Sequence, residues 1–457
     1  MDAEVKQGRR LNGLDIAVLW FGAAVVVTEL WGGTQVTPAG LGIGILVIIA
    51  GRLLSNLFLG LVSRMGARTG LPTMLLTRPA FGVRGSIIPA VCNVLQLLGW
   101  TAYMLIVAAK SGVYLLGLEE ESASYAAFYK VSILAVGLLT TLWAVLGQRW
   151  WKLAQRVAVG LLFALTLVMT WAVLREHSIA ELTAIPRPEG LSPMLLLDFV
   201  VAMGISWVPL AADYGRFATS DRAATLGTYW GYFAGSAWMY IVGLIAGLAF
   251  LANSPDTPVY LLDPNVVVLG TLKPLKMVFA GLTLVLVSTV TTTFLDIYSA
   301  AVSSTALFPK GKEWTFGVAA GLIGTVLAFF IDVQQYESFL LMIGVVFLPM
   351  FSIVAMDWLL IRRGRVDAAE VQRGTESAYW YSGGFNLTAI IAWLCGMGIS
   401  VMAQDKWWLT AVIKQTTGNE VSFGEPWAIG AAIPCFILTS LIYLALNYRR
   451  LVSSQKT

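Results

Sequence analysis

The chain has 457 residues, is 58% hydrophobic and only 12% charged, and carries a formal net charge of +4 with a mean hydropathy of +0.76. A soluble protein of this length would hold about twice that share of charge, so a water-soluble domain is excluded and a polytopic membrane protein is indicated. The three cysteines, Cys92, Cys395 and Cys435, fall in apolar segments and the lone histidine, His177, in a polar loop, which argues against a disulfide framework, metal spacing or a catalytic triad.

After Lys6, Arg9 and Arg10 the first apolar stretch is long and has no small-residue cleavage site, so it reads as a membrane span rather than a removed signal. The hydropathy pattern predicts twelve spans, at 14–38, 40–63, 87–110, 130–148, 155–174, 194–217, 226–251, 274–307, 315–331, 338–361, 385–403 and 426–447. A span of this kind can cross ~30 Å of hydrocarbon. Alternate loops hold most of the 30 basic residues: Arg64, Arg68, Arg78 and Arg84, then Arg149, Lys152 and Arg156, then Arg216 and Arg222, with later clusters at Lys310, Arg362 and Arg449. This asymmetry places both termini in the cytoplasm and Glu119, Glu120 and Glu121 outside, in a cell inner (plasma) membrane. Arg52, within the second span, is the basic residue that remains once those of the loops and span ends are assigned.

Two spans are poor helices. In the first, Phe21-Gly22-Ala23-Ala24 runs into β-branched residues, Glu29 and Gly32-Gly33-Thr34; in the sixth, Gly204 and Pro209 stand five residues apart at mid-membrane. Proline removes a backbone donor and clashes with the preceding turn, so the sixth span should unwind there. Interrupted helices at corresponding places in two halves point to a secondary transporter built from inverted repeats, with freed carbonyls for a cation and freed N–H groups for a solute.

In the third span Asn93, Gln96 and Trp100 recur at i, i+3 and i+7, which places them on one face. An aromatic plane beside amides suits a flat heteroaromatic solute, the ring stacking while the amides read its edge. Ser206 and Trp207 offer a similar pair in the sixth span. The eighth span carries Ser288, Thr289, Thr291, Thr292, Thr293 and Asp296 in an apolar run. Ser288, Thr291 and Thr292 share a face whose hard oxygens, without a carboxylate, suit a weakly held monovalent cation; the alternative is that each hydroxyl bonds back to its own helix. Glu29 reads either as a group coordinating a proton or polar solute or as a hydrated residue of the outer vestibule. Asp213 reads as a helix-end ion pair with Arg216, and Asp296 as a paired group or a proton relay. Trp150-Trp151 and Trp407-Trp408 read as interface anchors.

Gly32-Gly33-Thr34, Gly66-Ala67-Arg68-Thr69-Gly70-Leu71, Arg78 with Phe81-Gly82-Val83-Arg84-Gly85-Ser86, Gly99-Trp100 and Ala212-Asp213-Tyr214-Gly215-Arg216-Phe217 resemble the nucleobase–cation symporter-1 family, of purine-cytosine permease type. The resemblance runs over most of the chain and is weakest in the last two spans. It implies an all-α integral membrane protein of twelve transmembrane helices, with a leucine-transporter-type five-plus-five inverted repeat and two further C-terminal helices. It also implies alternating access, often with sodium as the coupling ion. The family's cation site falls here on the carbonyls of Phe21 and Ala24 and the hydroxyls of Ser288, Thr291 and Thr292. Its stacking aromatic on the third helix falls on Trp100, a polar contact on the sixth on Ser206, and one on the eighth on Thr293. Two positions depart: the base-reading glutamine falls on Leu97, with Gln96 beside it, and the sixth-helix aromatic falls on Gly204, with Trp207 one turn away. Residues 93–102, Glu29 and 207–214 look more like the branch of hydroxymethylpyrimidine transporters.

The resulting expectation is a cation-coupled importer of a small pyrimidine, not an enzyme. Residues 1–13 and 448–457 form cytoplasmic ends, 14–361 the transport core with repeats at 14–174 and 194–361, 362–384 a cytoplasmic loop, and 385–447 two added helices. Its partners would be the bilayer and a small heteroaromatic solute, with no nucleic acid and no organic cofactor, in a monomeric transporter. A proton-coupled nucleobase, hydantoin or allantoin permease is the alternative. An integral-membrane enzyme on a lipid substrate would need clustered carboxylates or histidines, and Asp296, Asp332 and Asp357 stand apart.

Overall fold

A computed structural model describes residues 11–146, 151–188, 192–255, 263–331, 335–404, 410, 413–414 and 425–455. Lys6, Arg9, Arg10, Arg149, Trp150, Asp332, Trp407 and Trp408 lie outside the described residues. We number the apolar helices in chain order. α1 has two pieces, Gly13–Ala24 and Val27–Thr34; then come α2 (Gly40–Thr69), α3 (Ile87–Leu115), α4 (Tyr125–Leu146) and α5 (Trp151–Glu176). α6 again has two pieces, Pro193–Ser206 and Ala211–Gly215, followed by α7 (Asp221–Asn253), α8 (Val278–Leu307), α9 (Glu313–Leu327) and α10 (Tyr336–Met356). α11 (Leu387–Ala403) and α12 (Ala432–Leu446) complete the set, and no strand occurs among the described residues. Eight stretches are long and apolar enough to cross a membrane, and four shorter apolar helices accompany them. Each expected span therefore finds its helix.

Both expected interruptions are present, and each has a local cause. α1 begins on a capping box between Asn12 and Asp15 and loses its helical path at Val25 and Val26, whose backbone turns to φ −81°, ψ 77° and φ −143°, ψ 152°. Three β-branched residues in succession, Val25 to Val27, disfavour the helix at this point. α6 starts on Ser192, whose side chain accepts from Met194 N, with Pro193 in the first turn, where its missing N–H costs nothing. It tightens to a 3₁₀ turn at Val208–Leu210, where Pro209 cannot donate.

The helices pack as two groups. α1, α2 and α7 contact one another extensively and α2 carries α6; α3, α4, α8 and α9 form the other group; α10 lies against α6, and α11 and α12 pack on α10 and on each other. Small residues let α1 and α7 touch backbone to backbone: a Cβ added at Gly33 would overlap the Tyr240 carbonyl, and one at Gly243 would overlap the Leu30 carbonyl. The Phe81–Ser86 motif serves a different contact. Arg84 N and Gly85 N donate to Gly384 O at 2.8 and 3.1 Å, and Asn386 Nδ2 donates to Ala80 O at 2.6 Å. Arg78 Nη1 adds a bond to Val371 O at 2.8 Å, so the loop before α11 is stapled to the segment joining α2 and α3.

Because the Gly33 contact is with backbone, it cannot relax by a rotamer change. Gly33→Ala should lower thermal stability in detergent by about 1–3 kcal/mol, the usual range for overpacking. Gly42→Ala, at a position with nothing within 4 Å, should not. Equal melting of the two variants would contradict the close approach.

Candidate solute and cation sites

Gln96 on α3 joins the two helix groups. Its Nε2 donates to Ser206 O at 2.8 Å, the carbonyl that opens the interruption of α6, and to Asn93 Oδ1 at 3.0 Å. Asn93 in turn donates from Nδ2 to Ser303 Oγ on α8 at 2.8 Å. Ser206 O can only accept, so the amide orientation of Gln96 follows from its partner. Its Oε1 is then left buried with no hydrogen-bond partner. Trp100, one turn further along α3, is buried and lies edge-on to Phe339 of α10, ring centroids 5.6 Å apart, while Tyr103 meets the same ring at 5.3 Å. Asn93, Gln96 and the Ser206 backbone thus come together, with Trp100 one turn away on α3.

Other expected solute contacts point elsewhere. Gly204 faces α2: a Cβ there would overlap the Ser55 hydroxyl and come within 3.4 Å of Arg52 Nη1. The absent aromatic therefore reflects tight packing of α6 on α2. The Ser206 hydroxyl bonds back to Met203 O at 2.6 Å. Trp207 stands 6.1 Å from the Trp20 and Tyr232 rings, inside the group formed by α1, α6 and α7.

Glu29 corrects the vestibule reading, because it is 1% exposed. Its Oε2 takes Arg52 Nη2 at 3.1 Å and the Ser236 hydroxyl at 2.6 Å, and its Oε1 takes the Tyr232 hydroxyl. Arg52 is fully buried with its guanidinium 4.1 Å above the Tyr240 ring. This cluster draws on α1, α2 and α7, so it binds one helix group together and is turned away from α3 and α8. Arg52 could have been paired with Glu29 from the sequence, since two lone opposite charges in apolar spans need partners. Tyr232, Ser236, Ser303 and Phe339 carried no comparable signal.

The hydroxyl tract of α8 divides in two. Ser288 Oγ donates to Val285 O at 3.2 Å, Thr291 Oγ1 to Ser288 O at 2.9 Å, and Thr293 Oγ1 to Thr289 O at 2.7 Å. Thr289 and Thr292 are buried, and their hydroxyls have no partner. Back-bonding thus accounts for three hydroxyls and fails for two. A hydroxyl that donates to a carbonyl still has lone pairs, so Ser288 and Thr291 can offer oxygen beside the orphaned Thr292, and the donor set fits a hard monovalent cation. Phe21 O and Ala24 O, at the end of the first piece of α1, already accept from Val25 N and Val26 N, each at 2.9 Å, with a second lone pair to spare. The Asp213–Arg216 pairing is also corrected. Asp213 Oδ1 accepts from Thr73 N at 2.9 Å, and Arg216 Nε reaches only the Asp213 carbonyl, at 3.2 Å.

Glu29→Gln should lower stability by about 3–5 kcal/mol by leaving Arg52 charged and unpaired in an apolar interior. Adding Arg52→Gln should recover part of that loss in the same melting assay. A double variant no more stable than the single one would show that the pair does not act as a unit.

The family model described as permease for cytosine/purines, uracil, thiamine, allantoin matches residues 5–430. The cytosine permease of Escherichia coli (strain K12) is 26% identical over 364 residues, spanning 79% of this chain and 80% of the relative. The hydantoin permease of Microbacterium maritypicum is 22% identical, spanning 89% and 84%. Among solved structures, the inward-facing conformation of Mhp1 matches with a TM-score of 0.76 at 17% identity, covering 98% of this chain and 92% of that one. Mhp1 as a nucleobase-cation-symport-1 family transporter, closed on bromovinylhydantoin, matches with a TM-score of 0.74 at 18% identity, covering 98% and 94%. The fold is theirs, and the relatives are permeases rather than enzymes. With a match spanning nearly the whole chain, this protein belongs to the nucleobase–cation symporter-1 family, the permeases for cytosine and purines, uracil, thiamine and allantoin, and is a multi-pass membrane transporter.

Proposed function

We propose that the protein imports a small aminopyrimidine, of hydroxymethylpyrimidine or cytosine type, by sodium-coupled alternating access in the plasma membrane, with both termini cytoplasmic. The observation that carries this reading is a pair of orphaned oxygens. Gln96 Oε1 lies beside the interruption of α6, and Thr292 Oγ1 lies in the hydroxyl face of α8. A buried acceptor without a donor costs about 1–3 kcal/mol, so each position is poised for a ligand that restores the bond. At Gln96 the missing partner is an N–H, which the exocyclic amine of an aminopyrimidine supplies while its ring lies on Trp100. In this reading Asn93, bonded to Gln96 Nε2, and Thr293 on α8 would complete the pocket.

At Thr292 the missing partner is a cation. Sodium would be held by the hydroxyls of Ser288, Thr291 and Thr292 with the carbonyls of Phe21 and Ala24, joining the interrupted α1 to α8. An ion that ties α1 to α8 and a solute that ties α3 to α6 both favour the state in which the two helix groups are docked. Each therefore strengthens the other's binding, by typically 1–3 kcal/mol. Glu29, saturated by three donors, serves the rigid body and not the solute.

The second reading is proton coupling. It is supported by Asp296, a buried carboxylate whose Oδ2 has no partner. Thermal stabilisation against hydroxymethylpyrimidine, cytosine, uracil, hydantoin and allantoin, each in sodium or in choline, separates the possibilities. The aminopyrimidines should give the largest shift, and sodium should enlarge it. A shift indifferent to sodium would favour protons, and a preference for hydantoin would overturn the amine–Gln96 assignment. Thr292→Ala should raise the sodium concentration for half-maximal uptake about tenfold, and Trp100→Ala should weaken solute binding by a similar factor while a Trp314→Ala control, at an exposed tryptophan, leaves it unchanged.

A further inference from the structure

Most buried carboxylates of this chain are fully engaged. Glu29 is saturated, Asp198 accepts from Ala431 N and Ala432 N, and Asp357 holds Arg362 Nε at 2.6 Å and the Tyr443 hydroxyl at 2.9 Å. Asp296 on α8 is different. It is 3% exposed, forms no ion pair among the described residues, and leaves Oδ2 without a partner.

Its neighbours share this condition. Thr292, Asp296 and Ser299 follow at i, i+4 and i+7 and stack along one face of α8. Thr292 and Ser299 are completely buried, and neither hydroxyl has a hydrogen-bond partner. The last turn of α6 stands opposite. There the Ser299 hydroxyl lies within reach of both the Asp213 carboxylate and the Tyr214 phenol, and Asp213 Oδ2 has no well-aligned donor. Tyr214 donates to Leu295 O at 3.3 Å and so pins the two helices at this level. The nearby cation, Arg216, donates to Tyr298 and the Asp213 carbonyl, at 3.1 and 3.2 Å, and acts on the Asp213 carboxylate only through space.

Thr292 Oγ1 and Asp296 Oδ2 without partners, beside a second buried carboxylate at Asp213 that a serine hydroxyl meets at best poorly, are costly in an apolar interior unless a cation or protons neutralise them. Among the described residues no three His, Cys, Asp or Glu side chains come together, so the set does not suit zinc or a related metal. Hydroxyl and carboxylate oxygens suit a hard monovalent ion. We propose that Asp296, with Thr292, Ser299 and Asp213, forms a second sodium site about 6 Å along α8 from the first, towards Leu307, given the rise of four helical residues. Thr292 is common to both sites, so an ion can pass from one to the other without losing all its ligands. This proposal rests on the reading of Ser288, Thr291 and Thr292 as the first cation site.

The test is equilibrium binding of radioactive sodium to the purified full-length protein, with Asp296→Asn and Ser288→Ala beside it. Asparagine copies a protonated carboxyl in shape but not an anionic ligand. Two sodium ions per chain are expected, falling to one in Asp296→Asn with the solute-linked ion retained. One ion in the wild type, kept in Asp296→Asn and weakened at least tenfold in Ser288→Ala, would overturn the second site and leave the first standing. Two ions retained in Asp296→Asn would overturn it as well, placing a neutral carboxyl at Asp296. Binding of no sodium by the wild type would overturn both sites and the sodium reading with them. Should Asp296→Asn fail to fold, Asp296→Glu and Ser299→Ala replace it. Each should weaken one of the two ions about tenfold, and no change in both would reject the proposal.

Discussion

The governing constraint is that hydrocarbon supplies no hydrogen bonds. Every polar group placed in a membrane span must find its partner within the protein or through a ligand. Continuous helices meet this demand by themselves, which is why helices make up most of the described backbone. Interrupted helices do not, so the unwound segments at 25–26 and 207–210 are tolerated only in the packed interior. All four of Val25, Val26, Trp207 and Pro209 are buried there.

The same constraint explains the two kinds of polar cluster. Glu29 and Arg52 neutralise each other: the carboxylate takes Arg52, Tyr232 and Ser236, and the guanidinium, whose Nε and Nη1 make no hydrogen bond, lies on the Tyr240 face. Breaking such a cluster leaves a charge with nowhere to go, so it holds α1, α2 and α7 in one body. Gln96 and Thr292 are open, each with an oxygen unmet. A charge-neutral cluster resists change, whereas a neutral oxygen left unmet gains from a ligand, and a transporter needs both. The rigid body must survive the cycle, and the site between bodies must be completed and released within it.

Specific hydrogen bonds cross between the two helix groups, beside aromatic contacts such as Tyr214 on Tyr298. Gln96 reaches the Ser206 carbonyl, Tyr214 the Leu295 carbonyl, and Arg216 the Tyr298 hydroxyl. Within a group the contacts are of another kind, such as Gly33 and Gly243 pressed against the backbone of the facing helix. Side-chain contacts between bodies and backbone-to-backbone packing within them are what rocking of one group against the other requires.

Much of this was legible from residue order. Span number, both interruptions, the Asn93–Gln96–Trp100 face and the hydroxyl face of α8 depend on local periodicity, and local periodicity is carried by the chain itself. The direction in which a side chain looks across to another helix is not. Gly204 matches a family position for an aromatic, yet its missing Cβ admits α2; Trp207 turns to Trp20 and Tyr232; Glu29, close to the outer end by count, is buried against Arg52. Asp213 shows the same limit: Arg216 is three residues away, but the carboxylate caps Thr73 from a distant segment. The sequence by itself determined which residues form helices, where those helices fail and which side chains share a helix face. Only the tertiary structure decided which faces meet, and with that which polar atoms are satisfied and which wait for a ligand, because partner choice in a helix bundle depends on contacts between residues tens to hundreds of positions apart.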